Sequence, residues 1–516
     1  MTQPLPQKGH PKGLYVLFAT EMWERFNYYG MRAILVLFMT KALLFKDAFA
    51  SNLYGSYTSL VFLTPLVGGY VADRYWGNGR SIVTGGLIMA FGEFLLFFCG
   101  SFYHTMPSLS SWLFFSGLGC MIAGNGFFKP NISSLVGQLY PKGDRRIDAA
   151  YTIFYMGINT GGALGPFICG IVGDTGNPAD FKWAFLVAGI GMVISVVVQK
   201  LYQKKYVVSP EGVPLGGVPE RAAGDKPDVV PLPARRNPWL RPLPVAAGLI
   251  AFSLVSIGAL YVDAEVFSFL SYLLLAAVLL IGVLLFTDKS TNRIEKERIA
   301  VIFIVSFFVI FFWSAFEQAG ASLTLFADRQ TQRDLGWFVV PASLFQSLNS
   351  LFVVSFAPLF AWLWIKMGKR EPASPTKMAL GLFFLALGYL WIAMGVKDVS
   401  ATTKVSMIWL TGMYALHTCG ELSLSPIGLS LVNKLAPLQF ASLLMAVWFL
   451  ANAAANKLAG VLSALYPENG TVTSFLGYHM HSMYDFFMLF VFMSGIASVI
   501  LFFLSGRLQK MMHNLR

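Results

Sequence analysis

Fourteen apolar stretches of about twenty residues recur along this chain of 516 residues. A helix of that length crosses the hydrocarbon of a bilayer, where no water can satisfy an open backbone. The stretches read 14–40, 51–72, 81–103, 111–137, 149–172 and 182–202, then 243–262 and 266–287. A final six follow at 299–327, 337–365, 378–396, 404–432, 438–463 and 483–506. Charged residues make up 12% of the chain, against about 25% in soluble domains, and the mean hydropathy is +0.62. The fold class is therefore an all-α integral membrane protein. A net charge of +12 does not point to nucleic acid, because no basic stripe on a soluble fold accompanies it. Cys99, Cys120, Cys169 and Cys419 all lie inside apolar stretches, so neither a disulfide framework nor metal-ligand spacing is implied. The first stretch is interrupted by charges and lacks a small-residue cleavage site, so it reads as a retained span.

The loops test the span count. With the N-terminus cytoplasmic, about 27 of the 38 Lys and Arg fall in inside loops or tails. Those loops include Pro141 to Arg146, Lys366 to Lys377 and the tail from Arg507 to Arg516. Both termini are then expected on the cytoplasmic side of a cell membrane. The one long hydrophilic segment is rich in Pro and Gly (Pro210, Pro214, Pro219, Pro227, Pro231, Pro233) and reads as a flexible linker. The expected organisation is a six-helix bundle over 1–203, a cytoplasmic linker over 204–242, two additional helices over 243–287 and a second six-helix bundle over 288–516. Two six-helix halves joined by a linker are the architecture of major facilitator transporters.

Charges inside the spans are where function is legible. Each costs about 2.5–3.5 kcal/mol at the centre of a lipid-facing helix. The first span carries Glu21, Glu24, Arg25 and Arg32. At about 100° per residue, Glu21, Arg25, Tyr28 and Arg32 share an arc of roughly 60°, with Glu24 just beyond one edge. Such a stripe faces a water-filled cavity or partner charges. A structural ion-pair staple is the blander reading, but three turns of charge exceed what a staple requires. Lys129 lies mid-span, and its natural partner is a first-span carboxylate. At 4 Å the two would interact by ~4 kcal/mol at an effective dielectric of 20, and protonating the carboxylate abolishes most of that attraction. Further intramembrane charges are Glu93, Glu317, Glu421 and Lys457. Glu93 has no motif around it. Lys457 is expected near the outer end of its helix, snorkelling to the interface. Tyr28, Tyr29, Tyr155, Trp313 and Trp448 lie near the charged positions rather than only at the interfacial belts. Singly each reads as packing; beside buried charges of both signs they suggest a cavity for a zwitterion with variable side chains.

The motifs resemble those of the proton-dependent oligopeptide transporter family, prokaryotic type, of the major facilitator superfamily. Glu21-Met22-Trp23-Glu24-Arg25-Phe26-Asn27-Tyr28-Tyr29-Gly30 is similar to its ExxERFxYYG signature. Phe154-Tyr155-Met156-Gly157-Ile158-Asn159 with Gly161, Phe312 to Gln318, and Glu421 to Pro426 resemble its FYxxINxG, FWxxxEQ and ExxxSP motifs. Gly69 to Arg74 resembles the loop between the second and third spans of major facilitators. The resemblance covers nearly the whole chain and implies a proton-coupled symporter importing di- and tripeptides by alternating access. It implies that Arg32 and Lys129 hold the peptide carboxylate and that Glu421, in the opposite half, holds its amino group. Asn159 and Asn349 would bond the peptide backbone, while Tyr28, Tyr29, Tyr155, Trp313, Ser425, Trp448 and Phe449 shape side-chain pockets. Glu21, Glu24 and Arg25 with Lys129 would carry the proton-linked switch, and Glu317 is a further proton or gating carboxylate. Phe62 stands where the family often has a tyrosine. His417, one turn before Glu421, is not a family feature and is placed to tune that carboxylate.

The nearest rival keeps the fold and changes the cargo to nitrate or an amino-acid-like compound. The first-span charges and the acidic Glu421 favour a substrate bearing an amine. A membrane enzyme would need a nucleophile–base pair or a metal cluster, and His10, His104, His417, His479, His481 and His513 show no ligand spacing within a span. The expected partners are small peptides, protons and the lipid bilayer, with no nucleic acid and no cofactor, and the expected state is a monomer.

Overall fold

The computed structural model describes residues 9–141, 144, 146–217, 242–265, 269–400, 402–467 and 471–513. Most of the expected linker, 218–241, lies outside the described residues, as do Lys142, Gly143 and Arg145 of the inside loop and 514–516 of the tail. Among the described residues the helices are α1 (Lys12–Lys41), α2 (Asp47–Val71), α3 (Asn78–Phe102), α4 (Pro107–Gln138), α5 (Ile147–Gly173), α6 (Phe181–Tyr206), α7 (Pro242–Glu265) and α8 (Phe269–Thr287). The remainder are α9 (Arg293–Phe316), α10 (Ser322–Gln330), α11 (Gln346–Met367), α12 (Ser374–Val396), α13 (Met407–Leu435), α14 (Ala441–Ser463) and α15 (Met483–Met511). All but the short α10 correspond to the fourteen apolar stretches. Eleven of the helices are long and apolar enough to cross a membrane; α1, with its charges, is not among them.

Local chemistry sets the boundaries. Asn292 and Glu295 form a capping box at the start of α9, each side chain taking the other's backbone N–H at 2.9 Å. Ser406 and Ser482 cap α13 and α15 in the same sense, by accepting from Ile408 and Asp485. Residues 207–217, expected to be flexible, instead form a tight turn. Leu215 donates to the Val207 carbonyl at 2.9 Å and Gly79, in the first turn of α3, donates to Gly216 at 3.0 Å.

The ninth stretch was expected to run unbroken from 299 to 327. In the structure α9 stops at Phe316, Glu317–Gly320 form a single tighter turn, and α10 restarts at Ser322. Side chains stabilise the break. Gln318 Nε2 donates to the Ser314 and Ala459 carbonyls at 3.1 and 3.0 Å, and Thr324 Oγ1 donates to Ala319 at 2.7 Å. A short tight turn inside a span commonly marks a functional position, and here it falls on Glu317.

By internal packing the chain divides into two compact units. The first comprises 9–28, 63–161 and 185–261 of the described residues, and the second 29–62, 162–184 and 262–513. In the first, α3 runs along α4, and glycines let the backbones touch. A Cβ on Gly85 would meet the Gly124 carbonyl at 2.5 Å, and one on Gly68 of α2 would meet Gly126 at 1.9 Å. In the second, α12 packs on α13 and α15 while α9 packs on α14. Gly381 and Gly420 make the corresponding close approach between α12 and α13, each Cβ falling within 2.9 Å of the other's carbonyl. Small residues at crossings are how membrane helices gain contact where burial from water offers nothing.

Because the obstacle at Gly68 is backbone, it cannot rotate away. Gly68→Ala is expected to destabilise the protein by about 1–3 kcal/mol through overpacking, whereas Gly258→Ala, which faces open space, should be neutral. Thermal unfolding of both variants in detergent checks this.

Candidate functional site

In the first unit the buried charges of α1 form one cluster. Arg25 Nε donates to Glu21 Oε1 at 2.8 Å and lies 2.7 Å from Glu24 Oε2. All three side chains are buried, and the Arg25 guanidinium sits over the Tyr28 ring at 5.8 Å. Asn125 Nδ2 of α4 donates to Glu24 Oε1 at 3.3 Å. Lys129, one turn along α4 and half-buried, is close enough for its charge to act on the Glu24 carboxylate. Gly161 of α5 allows the approach, since a Cβ there would meet the Met22 carbonyl at 2.2 Å. Asn159 Nδ2 bonds its own helix at the Tyr155 carbonyl, 2.9 Å away, and Tyr155 is largely exposed.

Three residues in or beside this cluster were missed or left open. Asn27 lies within the first-span signature without a role assigned to it. Its side chain donates to Glu93 Oε1 at 2.9 Å and to the Ala188 carbonyl at 3.0 Å, tying α1 to α3 and α6. That gives Glu93 a structural partner. Asn125 could have been found from its position one turn before Lys129.

In the second unit Arg32 Nη1 lies 3.0 Å from Glu317 Oε2, both side chains buried. The break after α9 turns the Glu317 carboxylate toward α1. Arg32 also stands over the Tyr29 ring at 5.4 Å. Arg32 and Tyr29 line a small cavity together with Phe316, Gln346, Asn349, Tyr414 and His417, and Glu317 meets that lining through Arg32. Tyr414 is near enough to feel both charges. Asn349 Nδ2 donates to Glu421 Oε2 at 2.8 Å and to Thr418 Oγ1 at 3.1 Å, so it carries the cavity wall to the second carboxylate. Gln346 Nε2 donates to Thr324 Oγ1 at 2.9 Å. Gln346, Tyr414 and Thr418 lie on no motif, which is why sequence reasoning passed over them.

The remaining candidates lie in the same unit. Trp313 meets Phe312 and Phe316 edge-on, each at 5.2 Å between ring centroids. Trp448 is buried against Gly428, where a Cβ would come within 2.2 Å of its ring. Ser425 and Phe449 are half-buried, Ser425 one turn beyond Glu421 on α13. His417 does not reach Glu421 by a hydrogen bond among the described residues. Its ring packs on Tyr389 and Phe316, with centroids 4.8 and 6.2 Å away.

One expectation fails. Lys457 does not snorkel: it is 2% exposed and its ammonium lies 2.6 Å from Asp263 Oδ2 and 2.8 Å from Ser56 Oγ. The sequence reading ended the seventh span at 262, one residue short of the partner that makes burial tolerable.

A sequence profile described as the POT family matches residues 79–210 and 265–476. The chain belongs to the POT family. It is 35% identical over 478 residues to an uncharacterized transporter, YclF, of Bacillus subtilis, covering 90% of each chain. It is 33% identical to a di-/tripeptide transporter of Lactococcus lactis, covering 89% of this chain and 90% of that one. Among solved structures, a mutant of peptide transporter POT in complex with alafosfalin superposes with a TM-score of 0.79 at 33% identity, covering 99% of this chain and 98% of the other. The POT member described above is thus a multi-pass membrane protein with the major facilitator fold.

One guanidinium serving two buried carboxylates makes a coupled system. Arg25→Met should destabilise this POT protein by about 3–5 kcal/mol, because it strands buried charge. Adding Glu24→Gln to Arg25→Met should recover part of the loss, and a double-mutant cycle on thermal unfolding measures the coupling.

Proposed function

We propose that this protein imports di- and tripeptides in symport with protons, by alternating access. The observation that carries the reading is the cavity of the second unit, where Arg32 and Glu317 face one another and Asn349 presents Glu421. A zwitterion entering there exchanges the protein's internal pairs for its own two ends. Arg32 takes the peptide carboxylate and Glu421 takes the amine. Asn349, which already donates to a carboxylate, also faces the peptide backbone. Trp313, Ser425, Trp448 and Phe449 border the space for side chains. The relatives' names support the same cargo, and the site would suit nitrate less well, because the Glu421 carboxylate would repel an anion.

In the same proposal the Glu21, Glu24 and Arg25 cluster takes up the driving proton. A proton on either carboxylate weakens its hold on Arg25 and on the neighbouring Lys129 charge. Glu317 is the second protonation point: a proton there releases Arg32 for the substrate. Two six-helix bundles over 1–203 and 288–516, a linker over 204–242 and the added helices over 243–287 are the proposed division. Both termini are placed in the cytoplasm, the protein acts as a monomer, and no chemical step is assigned to it.

The test is uptake into proteoliposomes. Dialanine should accumulate under an imposed proton gradient and nitrate should not. Replacing Glu21 or Glu24 by Gln should abolish accumulation while leaving peptide-for-peptide exchange. A proton carried with a neutral dipeptide moves one charge, worth about 2.3 kcal/mol per 100 mV, so an inside-negative potential alone should drive roughly fifty-fold accumulation per 100 mV. Accumulation that ignores the potential, or survives in both glutamine variants, would contradict the proposal.

A further inference from the structure

The ion pair of Lys457 and Asp263 stands where α2 and α14 touch. A Cβ on Gly55 would lie 2.6 Å from the Gly460 Cα, and one on Gly460 would lie 2.7 Å from the Gly55 Cα. Ser56 directly follows Gly55, and Lys457 precedes Gly460 by about one turn. Lys457 donates to Ser56 Oγ at 2.8 Å and to Asp263 Oδ2 at 2.6 Å, while the Ser56 hydroxyl donates to the same carboxylate. The other oxygen, Asp263 Oδ1, accepts the Leu270 N–H at 2.9 Å in the first turn of α8. One carboxylate at the end of α7 therefore joins α8, α2 and α14, and it is fully buried.

The same face of α2 makes contacts at each turn in this unit. Asp47 takes Arg329 Nη2 at 2.8 Å, Ser463 Oγ donates to Ser51 Oγ at 3.1 Å, and the Tyr54 hydroxyl abuts Gly320. This seam ends at the Ser56 triad. Apolar side chains would attach the α7–α8 hairpin with less desolvation than a buried ion pair requires. What the triad adds is a condition: the hydrogen bonds of Ser56 to Lys457 and to Asp263 are made together only while Ser56 and Lys457 stand side by side, which is to say while α2 and α14 are in contact.

We propose that Asp263 and Lys457 are positioning residues that hold α2 against α14, so that the α7–α8 hairpin sets how readily this crossing opens during transport. The proposal rests on the alternating-access reading for its purpose, and its test does not depend on the substrate. In full-length protein with Cys99, Cys120, Cys169 and Cys419 changed to Ala, Ser51→Cys and Ser463→Cys place two thiols across the seam. Their rate of disulfide closure in proteoliposomes under a fixed concentration of added copper–phenanthroline, the oxidant that takes up the two electrons, reports the crossing. Asp263→Asn and Lys457→Met should each slow closure by about tenfold or more, the worth of a charged hydrogen bond. The exchanged pair, Asp263→Lys with Lys457→Asp, should restore the rate. The apolar pair, Asp263→Leu with Lys457→Met, should retain thermal stability and still close slowly, which a merely structural role would not produce. Closure at the parental rate in the apolar pair would overturn the proposal, as would an exchanged pair that folds and stays slow. Dialanine uptake by the parent in the same vesicles separates the two readings: shifted closure without any uptake would contradict peptide transport and leave the positioning role standing.

Discussion

Charge cannot be left alone in hydrocarbon, and the rest of this structure follows from how α1 meets that constraint. Four ionisable residues in twelve positions would be prohibitive toward lipid. Each is instead matched inside the protein: Arg25 by Glu21 and Glu24, and Arg32 by Glu317. The helix contributes to both compact units, with the division falling between Tyr28 and Tyr29. One helix thus carries both the paired carboxylates Glu21 and Glu24 and a guanidinium, Arg32, that lines a cavity.

The cavity lining is held by internal pairs, Arg32 with Glu317 and Asn349 with Glu421. Buried ion pairs contribute little net stability and are costly only when one partner is removed. Such pairs suit the proposed exchange, in which a zwitterion displaces them and they re-form afterwards. The interruption after Phe316 is part of this arrangement, because an unbroken helix would carry the backbone of residues 317–320 past α1 rather than turning Glu317 to Arg32. Its cost is met by Gln318, whose amide satisfies carbonyls on its own helix and on α14.

Much of this was legible in the sequence because it rests on patterns with a period. The fourteen spans follow from apolar length, and the stripe of Glu21, Arg25, Tyr28 and Arg32 follows from helical spacing. That Lys129 should stand near enough to act on a first-span carboxylate follows from the need to neutralise charge, and its charge acts on Glu24. What stayed hidden depends on three-dimensional approach. The break in the stretch from 299 to 327 depends on partners outside it, since Gln318 reaches the Ala459 carbonyl of α14 and the Tyr54 hydroxyl stands where only a glycine fits at 320. Lys457 reads as a snorkelling residue until Asp263, almost two hundred positions away, is seen beside it. Asn27 and Asn349 looked like a motif filler and a substrate contact; in the structure each also secures a buried carboxylate, Glu93 or Glu421.

The central claim is that the two ends of a peptide meet Arg32 and Glu421. Binding of dialanine, N-acetyl-dialanine and dialanine amide to the parent and to Glu421→Gln tests it most directly. Acetylation should weaken binding to the parent by about ten- to a hundred-fold, the worth of a hydrogen bond to a charged group. In Glu421→Gln the free and acetylated peptides should bind almost equally weakly, while the amide is still discriminated against. A Glu421→Gln protein that keeps the full preference for a free amine would place the amine site elsewhere and contradict the account.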